Sequence, residues 1–253
     1  MFRCCIETGS LSQTKNDLFL LRRLVATKTH PYRSVHRHTL ISVAMHILHL
    51  DSSILGDASA SRVLSSAIVK RLLDERPSAQ VAYRDLGKEE IPHLSGEIAS
   101  GFRAPGSVQV TDSTVLFEHA RSEALVGEFL ASEIIVIGAP MYNFSVSSQL
   151  KAWLDRVAQP GKTFRYTPEG PVGLSGGRRV IVASTRGGQY SAGAASAMDF
   201  QESYLKVFFS FLGITDVQFV RAELLSRGPD LRERSLADAH ARVRDVVAQT
   251  LGA

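Results

Sequence analysis

The sequence predicts an α/β fold, a doubly wound sheet of five parallel strands. Residues 134–137 carry the strongest signal, because four β-branched apolar residues in succession suit a strand that is buried on both faces. Five strand-like runs alternate with segments of helical periodicity, which is the order of a parallel sheet with crossover helices. The alternation contains no internal repeat. In such sheets ligands bind just outside the carboxyl ends of the strands, so those loops are the first candidates for a site.

The first part of the chain that follows this pattern reads as strand, helix, strand and a long connection. Residues 47–50 predict the first strand, and a small polar turn follows it. A helix then begins at Ser59 and places apolar residues at helical spacing over 63–72. Residues 78–84 predict a second, short strand. The stretch 85–110 is long for a connection, so we expect it to fold over the surface or over a partner subunit.

A second helix and the central strand follow. Residues 111–112 cap a helix that runs to about residue 130. The central strand ends at Pro140, because proline cannot donate to a strand ladder. Ser145 or Ser147 caps the next helix, on which Asp155 and Arg156 are expected to form a pair at the surface.

The last part of the chain completes the alternation. Residues 161–171 hold a short aromatic strand between turn-forming residues, which predicts a hairpin or flap. Residues 179–184 predict another buried strand, followed by a helix that Gly213 ends as a C-terminal cap. A last strand over 217–220 and a charged amphipathic helix over 229–251 close the fold.

Composition excludes some classes of function. The 253 residues are 44% hydrophobic and 21% charged, and no apolar run approaches the roughly 20 residues that a membrane span needs. The net charge of +4 is uneven, since residues 1–44 hold seven of the 29 Lys and Arg but two of the 25 Asp and Glu. The rest of the chain is therefore close to neutral. We expect no membrane span and no nucleic-acid partner.

Residues 1–44 are predicted to be an N-terminal extension, and residues 45–253 to be the folded domain. Cys4 and Cys5 both lie in the extension, so the domain has no disulfide and no cysteine-ligated metal. The extension lacks the order of charge, apolar segment and cleavage site that marks a signal peptide; a basic organellar presequence is an alternative. Because Met45 stands directly before the first strand, we expect it to be the true start and the extension to have no fold.

The loop after the first strand is a candidate phosphate site. It offers several serines before a helix, and hydroxyls and free amides at a helix start suit an anion. The chain contains neither G-x-G-x-x-G nor G-x-x-x-x-G-K-[ST]. This argues against a dinucleotide as the tightly held cofactor and against an ATPase, and it favours a single terminal phosphate. Serine-rich turns are also common without a ligand.

Two further loops supply groups that suit a flat ring. Residues 141–144 are polar and aromatic, and residues 185–188 contain a glycine pair that lets the backbone approach closely. A phosphate at one end and a flat, hydrogen-bonding ring at the other describe flavin mononucleotide (FMN). The alternative is that Tyr142 and Phe144 are packing residues.

Four spaced motifs, taken together, resemble the FMN-dependent azoreductases, flavodoxin-like enzymes that also act as NADH:quinone oxidoreductases. In chain order they are residues 140–144 (PMYNF), 149–151 (QLK), 163–166 (TFRY) and 186–188 (RGG). The serine loop is similar to the phosphate loop of the family. The resemblance covers the chain from about Met45 to its end and leaves out the first 44 residues.

The resemblance implies which residues hold FMN, in three groups. One group would hold the phosphate, one would line a side of the isoalloxazine ring, and one would contact its other polar groups. In that order they are Ser53, Ser59, Ala60 and Ser61; Met141, Tyr142, Asn143 and Phe144; and Thr185, Arg186, Gly187 and Gly188.

The resemblance also implies a cytoplasmic homodimer with its active sites at the interface. Tyr166 of the flap and, more weakly, Phe211 would line the substrate side of the flavin. Tyr190 would line it as well, although it departs from the histidine often found after the glycine pair, and this change would alter substrate preference. Ala60 stands where a polar residue is common, which matters little if only its backbone amide is used.

The implied reaction is a ping-pong transfer of two electrons. NADH or NADPH reduces the flavin and leaves, and a quinone or an aromatic azo compound is then reduced in its place. No residue has to act as a general acid or base, and no metal is expected. One alternative is a flavodoxin-type electron carrier that binds FMN without a substrate of its own. A second is a flavin-free binding module on the same fold.

Overall fold

The computed structural model describes residues 44–102 and 110–252, which contain seven strands and six helices. The strands are β1 (His46–Asp51), β2 (Gln80–Asp85), β3 (Ile134–Pro140), β4 (Phe164–Thr167), β5 (Gly170–Gly173), β6 (Arg179–Thr185) and β7 (Asp216–Ala222). The helices are α1 (Ala60–Glu75), α2 (Gly96–Ser100), α3 (Ser113–Ala131), α4 (Ser148–Val157), α5 (Phe200–Phe211) and α6 (Pro229–Leu251).

Five strands form the predicted parallel sheet, and the prediction of the fold class is confirmed. The order is β2-β1-β3-β6-β7, and every neighbouring pair is parallel. This is the strand order of flavodoxin-like sheets. The order reverses between β1 and β3, which run side by side with Asp51 next to Gly138. The antiparallel hairpin of β4 and β5, predicted as a flap, forms a separate two-stranded sheet.

Helices cover both faces of the sheet, because successive side chains of a buried strand point to opposite sides. On one face Ile137 shares a core with Phe129 of α3 and Trp153 of α4. On the other face Val136 shares a core with Ile68 of α1 and with residues of α6. All seven residues of β3 are buried, as the apolar run predicts.

Side chains at the predicted positions cap the helices. Ser59 caps α1, and Asp112 caps α3 through the N–H groups of its first turn. Of the two serines proposed for α4, Ser147 is the cap, and its Oγ accepts the Leu150 N–H at 3.2 Å. Gly213 follows α5 with φ of +90°, as expected for a residue that ends a helix.

Where it is described, the stretch after β2 packs on its own chain. It contains α2, and Ile91 and Ile98 are buried. Arg156 of α4 donates to the Pro92 carbonyl at 3.1 Å and so ties the stretch to the domain. The expectation that it covers a partner subunit stays a prediction.

Asp155 and Arg156 do not form the predicted surface pair. Arg156 is fully buried, and its guanidinium contacts the Glu118 carboxylate at 2.6 Å and the Ser122 hydroxyl at 2.7 Å. Asp155 instead pairs with Lys151 at 2.6 Å, one helical turn away. The prediction was wrong because Arg156 faces α3. Its partner Glu118 lies 38 residues earlier, and a local sequence pattern does not show a contact at that distance.

The predictions for residues 1–43, including those for Cys4 and Cys5, lie outside the described residues. Among the helices that are described, none is both long and apolar enough to cross a membrane. The described part of the chain also holds no group of three or more His, Cys, Asp or Glu side chains arranged for a metal ion.

Candidate active site

Three loops meet at the carboxyl edge of the sheet, around the point where the strand order reverses. They follow β1, β3 and β6. Ser52 joins the first loop to β3, since its N–H and its hydroxyl both contact the Gly138 carbonyl, at 3.1 and 2.8 Å. The Met141 N–H donates to the Thr185 carbonyl at 2.7 Å and joins the second loop to the third. The loops that the sequence singled out therefore form one continuous edge.

The first loop gathers buried serines around the start of α1. Ser53, Ser59 and Ser61 are all buried. The Ser59 Oγ accepts the N–H of Arg62 at 3.2 Å and lies 3.0 Å from the Ser61 Oγ, so these two hydroxyls face each other. Ala60 is the first helical residue, and N–H groups in a first turn have no intrahelical acceptor. The loop presents a helix start, which favours an anion.

The second loop is a tight turn with strained backbone. Tyr142 and Ser145 exchange two backbone hydrogen bonds of 3.0 Å, and between them Asn143 and Phe144 have φ of 47° and 70°. Positive φ at both central residues is the geometry of a type I′ turn. Asn adopts it readily, but for Phe the left-handed conformation costs about 1–2 kcal/mol. Strain of this kind collects at functional sites.

A cleft of about 890 Å³ opens beside this turn. Its size suits a cofactor-sized ligand. The Tyr142 hydroxyl spans from the turn to the first loop, where it lies 3.2 Å from the Ser53 Oγ and accepts the Ile54 N–H at 3.4 Å. The lining residues are Ile54, Met141, Tyr142, Asn143, Ser145, Val146, Ser148, Gln149, Lys151 and Tyr204.

The side chain of Arg186, in the third loop, points into the protein. Its guanidinium is fully buried and contacts Asp199 and Glu202, each at 2.6 Å, with Glu223 at 3.6 Å. Its Nε has no hydrogen-bond partner among the described residues. Arg186 thus holds the loop in place. Its side chain does not reach the cleft, so the predicted contact of Arg186 with a ring is not made by this side chain.

The glycine pair is held by its carbonyl groups. Gly187 accepts from the Ser226 N–H at 3.2 Å, and Gly188 accepts from the Leu224 N–H at 3.0 Å. A Cβ on Gly187 would lie 2.7 Å from the Ser226 Oγ, so the chain packs closely at this glycine. The predicted close approach of the glycine pair to a ligand stays a prediction.

Tyr190 connects the third loop to the strained turn. Its ring packs edge-on against Phe144, with centroids 6.2 Å apart. Its N–H donates to the Glu223 carboxylate at 2.7 Å, and the Ser191 N–H donates to the same oxygen at 2.9 Å. The two aromatic residues, predicted separately, therefore contact each other, and neither is among the residues that line the cleft.

Tyr166 and Phe211 lie together but do not line the cleft. Both pack against Phe164, with ring centroids 5.3 and 4.6 Å away. Tyr166 is 73% exposed at the hairpin surface, so its ring is available to a group outside this chain. Their role as residues that line the substrate side stays a prediction.

The structure adds cleft residues that the sequence did not assign to the site. Gln149 and Lys151 belong to a motif that supported the resemblance. Their position at the start of α4, directly after the second loop, was the sequence feature that could have placed them in the site. No sequence feature indicated Tyr204, because it occupies one more apolar position of a predicted helix. Burial, and then the charge of Asp155, raise the pKa of Tyr204 to about 12, so its hydroxyl stays protonated at neutral pH.

Comparisons with known proteins agree with this geometry. Residues 45–247 match a family described as having a flavodoxin-like fold. The chain is 67% identical over 209 residues to an FMN-dependent NADH:quinone oxidoreductase of Ralstonia nicotianae, covering 83% of this chain and 100% of the relative. It is 56% identical over 203 residues to FMN-dependent NADH:quinone oxidoreductase 2 of Xanthomonas euvesicatoria, covering 80% and 94%.

A solved structure gives the same result. The azoreductase from Bacillus anthracis superposes with a TM-score of 0.74 at 26% sequence identity, covering 81% of this chain and 99% of that one. The chain therefore belongs to the flavodoxin-like family, in the group of FMN-dependent NADH:quinone oxidoreductases and azoreductases.

Proposed function

We propose that this protein is an FMN-dependent oxidoreductase that transfers two electrons from NADH to quinones and cleaves aromatic azo compounds reductively. The observation that carries this function is the Tyr142 hydroxyl, which joins the turn beside the cleft to the serine loop at a helix start. A ring site and an anion site are thereby held at a fixed separation. The function is supported by the names of the relatives that share more than half of their residues with this chain.

The residues at the phosphate end fit a monoester phosphate. Ala60 and Ser61 open a 16-residue helix and offer N–H groups that precede its first internal hydrogen bond. The positive end of the helix dipole points at the same place. Ser59 and Ser61 add hydroxyls behind it, which can turn from each other toward an anion.

The residues at the ring end fit a flat heterocycle. Met141 and Tyr142 give apolar area, and Asn143 gives an amide at the cleft wall. In a two-residue turn the N–H groups of both central residues lie outside the ladder, so Asn143 and Phe144 can donate to the edge of a ring. We propose that the N–H groups of the glycine pair make a similar contact from the third loop.

Bound FMN supplies the hydride and electron chemistry. The chain positions the ring by donors on rigid loops and keeps water from one of its faces with Met141 and Tyr142. Tyr204 serves as a hydrogen-bond donor rather than a base, because its pKa is near 12. We assign no side chain as a general acid or base.

We also propose that two copies of the chain assemble and complete the substrate side. Exposed apolar side chains lie on the hairpin and on α5: Tyr166 is 73% and Val207 is 69% exposed. A groove of about 510 Å³ between them is lined by Pro171, Val207 and Phe211 among others. Exposed apolar side chains on both sides of a groove favour an interface. A monomeric mass in solution, at the concentrations where the enzyme is active, would contradict this assembly.

The electron donor and the cellular location follow from the proposed function. NADH, rather than NADPH, is proposed as the donor because the relatives are named for it. A cytoplasmic location is proposed because NADH is held inside the cell.

The function is tested by purifying the protein with its flavin and following NADH oxidation. We expect FMN to be released on denaturation, and NADH to be consumed in proportion to added quinone or azo dye. A protein that binds FMN but turns over neither acceptor would be an electron carrier instead. A protein that takes up no FMN would contradict the proposal as a whole.

A further inference from the structure

The side chain of Arg62 is nearly buried in the first turn of α1, with 14% of its area exposed. It follows Ser59, the cap, by three residues, where a glutamate would commonly complete the cap and match the helix dipole. The first turn of α1 holds no acidic residue. A cation at this end of a helix opposes the dipole, so local helix stability does not explain it. A sequence that breaks a local rule at the edge of a ligand site points to a role in that site.

The guanidinium holds the first loop by its backbone. Arg62 Nε donates to the Gly56 carbonyl at 3.1 Å, and the Ser59 N–H donates to the same oxygen at 3.1 Å. Gly56, with φ of +54°, opens the 3-10 turn Gly56–Ala58 that leads directly into the cap. The position of that turn sets where Ser59 and the first N–H groups of α1 point.

A network beneath the loop fixes the guanidinium itself. Nη2 contacts the Asp85 carboxylate at 2.9 Å, and Nη1 donates to the Tyr83 hydroxyl at 2.5 Å. The Tyr83 hydroxyl in turn donates to Asp51 at 3.0 Å. Burial and Asp51 raise the pKa of Tyr83 to about 12, which keeps that proton in place.

The sheet leaves room for the Asp51 carboxylate of this network. Asp51 is buried in β1 and receives a hydrogen bond from the Ser65 hydroxyl at 2.7 Å. A Cβ on the neighbouring Gly138 would lie 2.3 Å from its Oδ1, so only glycine leaves room for the carboxylate. Arg62 is thus oriented by residues of two neighbouring strands, β1 and β2.

We propose that Arg62 is a positioning residue for the phosphate end of FMN: it fixes the loop between β1 and α1 through the Gly56 carbonyl, and this fixed loop makes the chain select FMN over riboflavin. The inference rests on the proposed function. Arg62 acts through the planar fork of its guanidinium, which contacts a carbonyl, a hydroxyl and a carboxylate at the same time. The single ammonium of a lysine cannot do so.

The test measures dissociation constants of the apoprotein for FMN and for riboflavin, which lacks the phosphate. We expect Arg62→Gln and Arg62→Lys each to weaken FMN binding by roughly tenfold or more, as for loss of a charged hydrogen bond. Riboflavin binding should change less than about twofold, within the scatter of a surface substitution. The control Arg71→Gln, on the same helix and paired with Glu75 at the surface, should change neither.

Other results overturn the inference. An Arg62→Lys protein that keeps the FMN affinity of the wild type would show that charge alone acts. Equal losses for both flavins would show a general structural role. Tyr83→Phe retains the arginine and removes one of its supports, so it should weaken FMN selectively by several-fold. This variant decides the matter if the Arg62 variants do not fold, and an unchanged FMN affinity in it would contradict the network. A wild-type protein that binds neither flavin would instead refute the proposed function.

Discussion

The hydroxyl oxygens of Tyr142 and Ser53 lie 3.2 Å apart although the residues are 89 positions apart in the chain. Tyr142 belongs to the turn after β3, and Ser53 to the loop after β1. These loops flank the point where the strand order reverses, which is where ligands bind in such sheets. The pair therefore sets the spacing between the ring end and the phosphate end of the proposed site.

Removing this contact is predicted to loosen the site without unfolding the chain. Tyr142→Phe and Ser53→Ala should each weaken FMN binding by about 2- to 10-fold, the equivalent of one net hydrogen bond. Because both changes remove the same interaction, the double variant should lose little more FMN affinity than either single variant. Fluorescence titration of the apoprotein measures this. Losses that add fully would show that the hydroxyls act independently.

The strain at Phe144 predicts an unusual order of stability. At most positions glycine is less favourable than alanine, but with φ of 70° alanine carries the left-handed strain and glycine does not. Phe144→Gly should therefore be more stable than Phe144→Ala by about 1 kcal/mol. Both variants lose the ring contact with Tyr190, so the comparison isolates the backbone. Denaturant unfolding gives both values, and an Ala variant that equals or exceeds the Gly variant would refute the strain.

Arg186 is predicted to act on stability more than on ligand contact. Arg186→Met leaves the buried carboxylate of Glu202 and the partly buried carboxylate of Asp199 without this partner, which costs about 3–5 kcal/mol for a broken buried pair. The matched control Arg244→Met, at an exposed pair, should cost less than about 1 kcal/mol. Thermal unfolding separates the two. A stable Arg186→Met protein that fails only in FMN binding would point to direct contact instead.

The domain boundary predicts that a shortened chain beginning at Met45 keeps its function. β1 begins at His46, and the family match begins at residue 45. Flavin content, unfolding midpoint and NADH oxidation should equal those of the full chain. A shortened chain that precipitates, or that loses its flavin, would show that residues 1–44 contribute to the fold.

Much of the fold was predictable because its signals are local. Runs of β-branched residues marked the strands, and Ser59, Asp112 and Ser147 marked helix starts, since a cap and its N–H partners lie within three residues. The meeting of the three loops was predictable for a different reason, because parallel strands bring their carboxyl ends to one edge.

What the sequence did not show depends on partners far apart in the chain. Arg156 seemed to be a surface residue and is buried against Glu118. The network of Arg62 joins residues of α1, β1 and β2, and no spacing rule connects them. The inward direction of Arg186 is likewise set by α5 and the loop after β7. Burial and charge pairing decide these roles, and both are properties of the tertiary structure.

The most direct test of the central claim separates the two halves of the reaction in the absence of oxygen. Purified holoenzyme is mixed with NADH alone while the visible absorbance of its flavin is followed, and a quinone is added after the NADH is spent. We predict that NADH bleaches the flavin without any quinone present, and that the quinone then restores the colour in equal stoichiometry. Absorbance that stays unchanged until both substrates are present together would contradict the account.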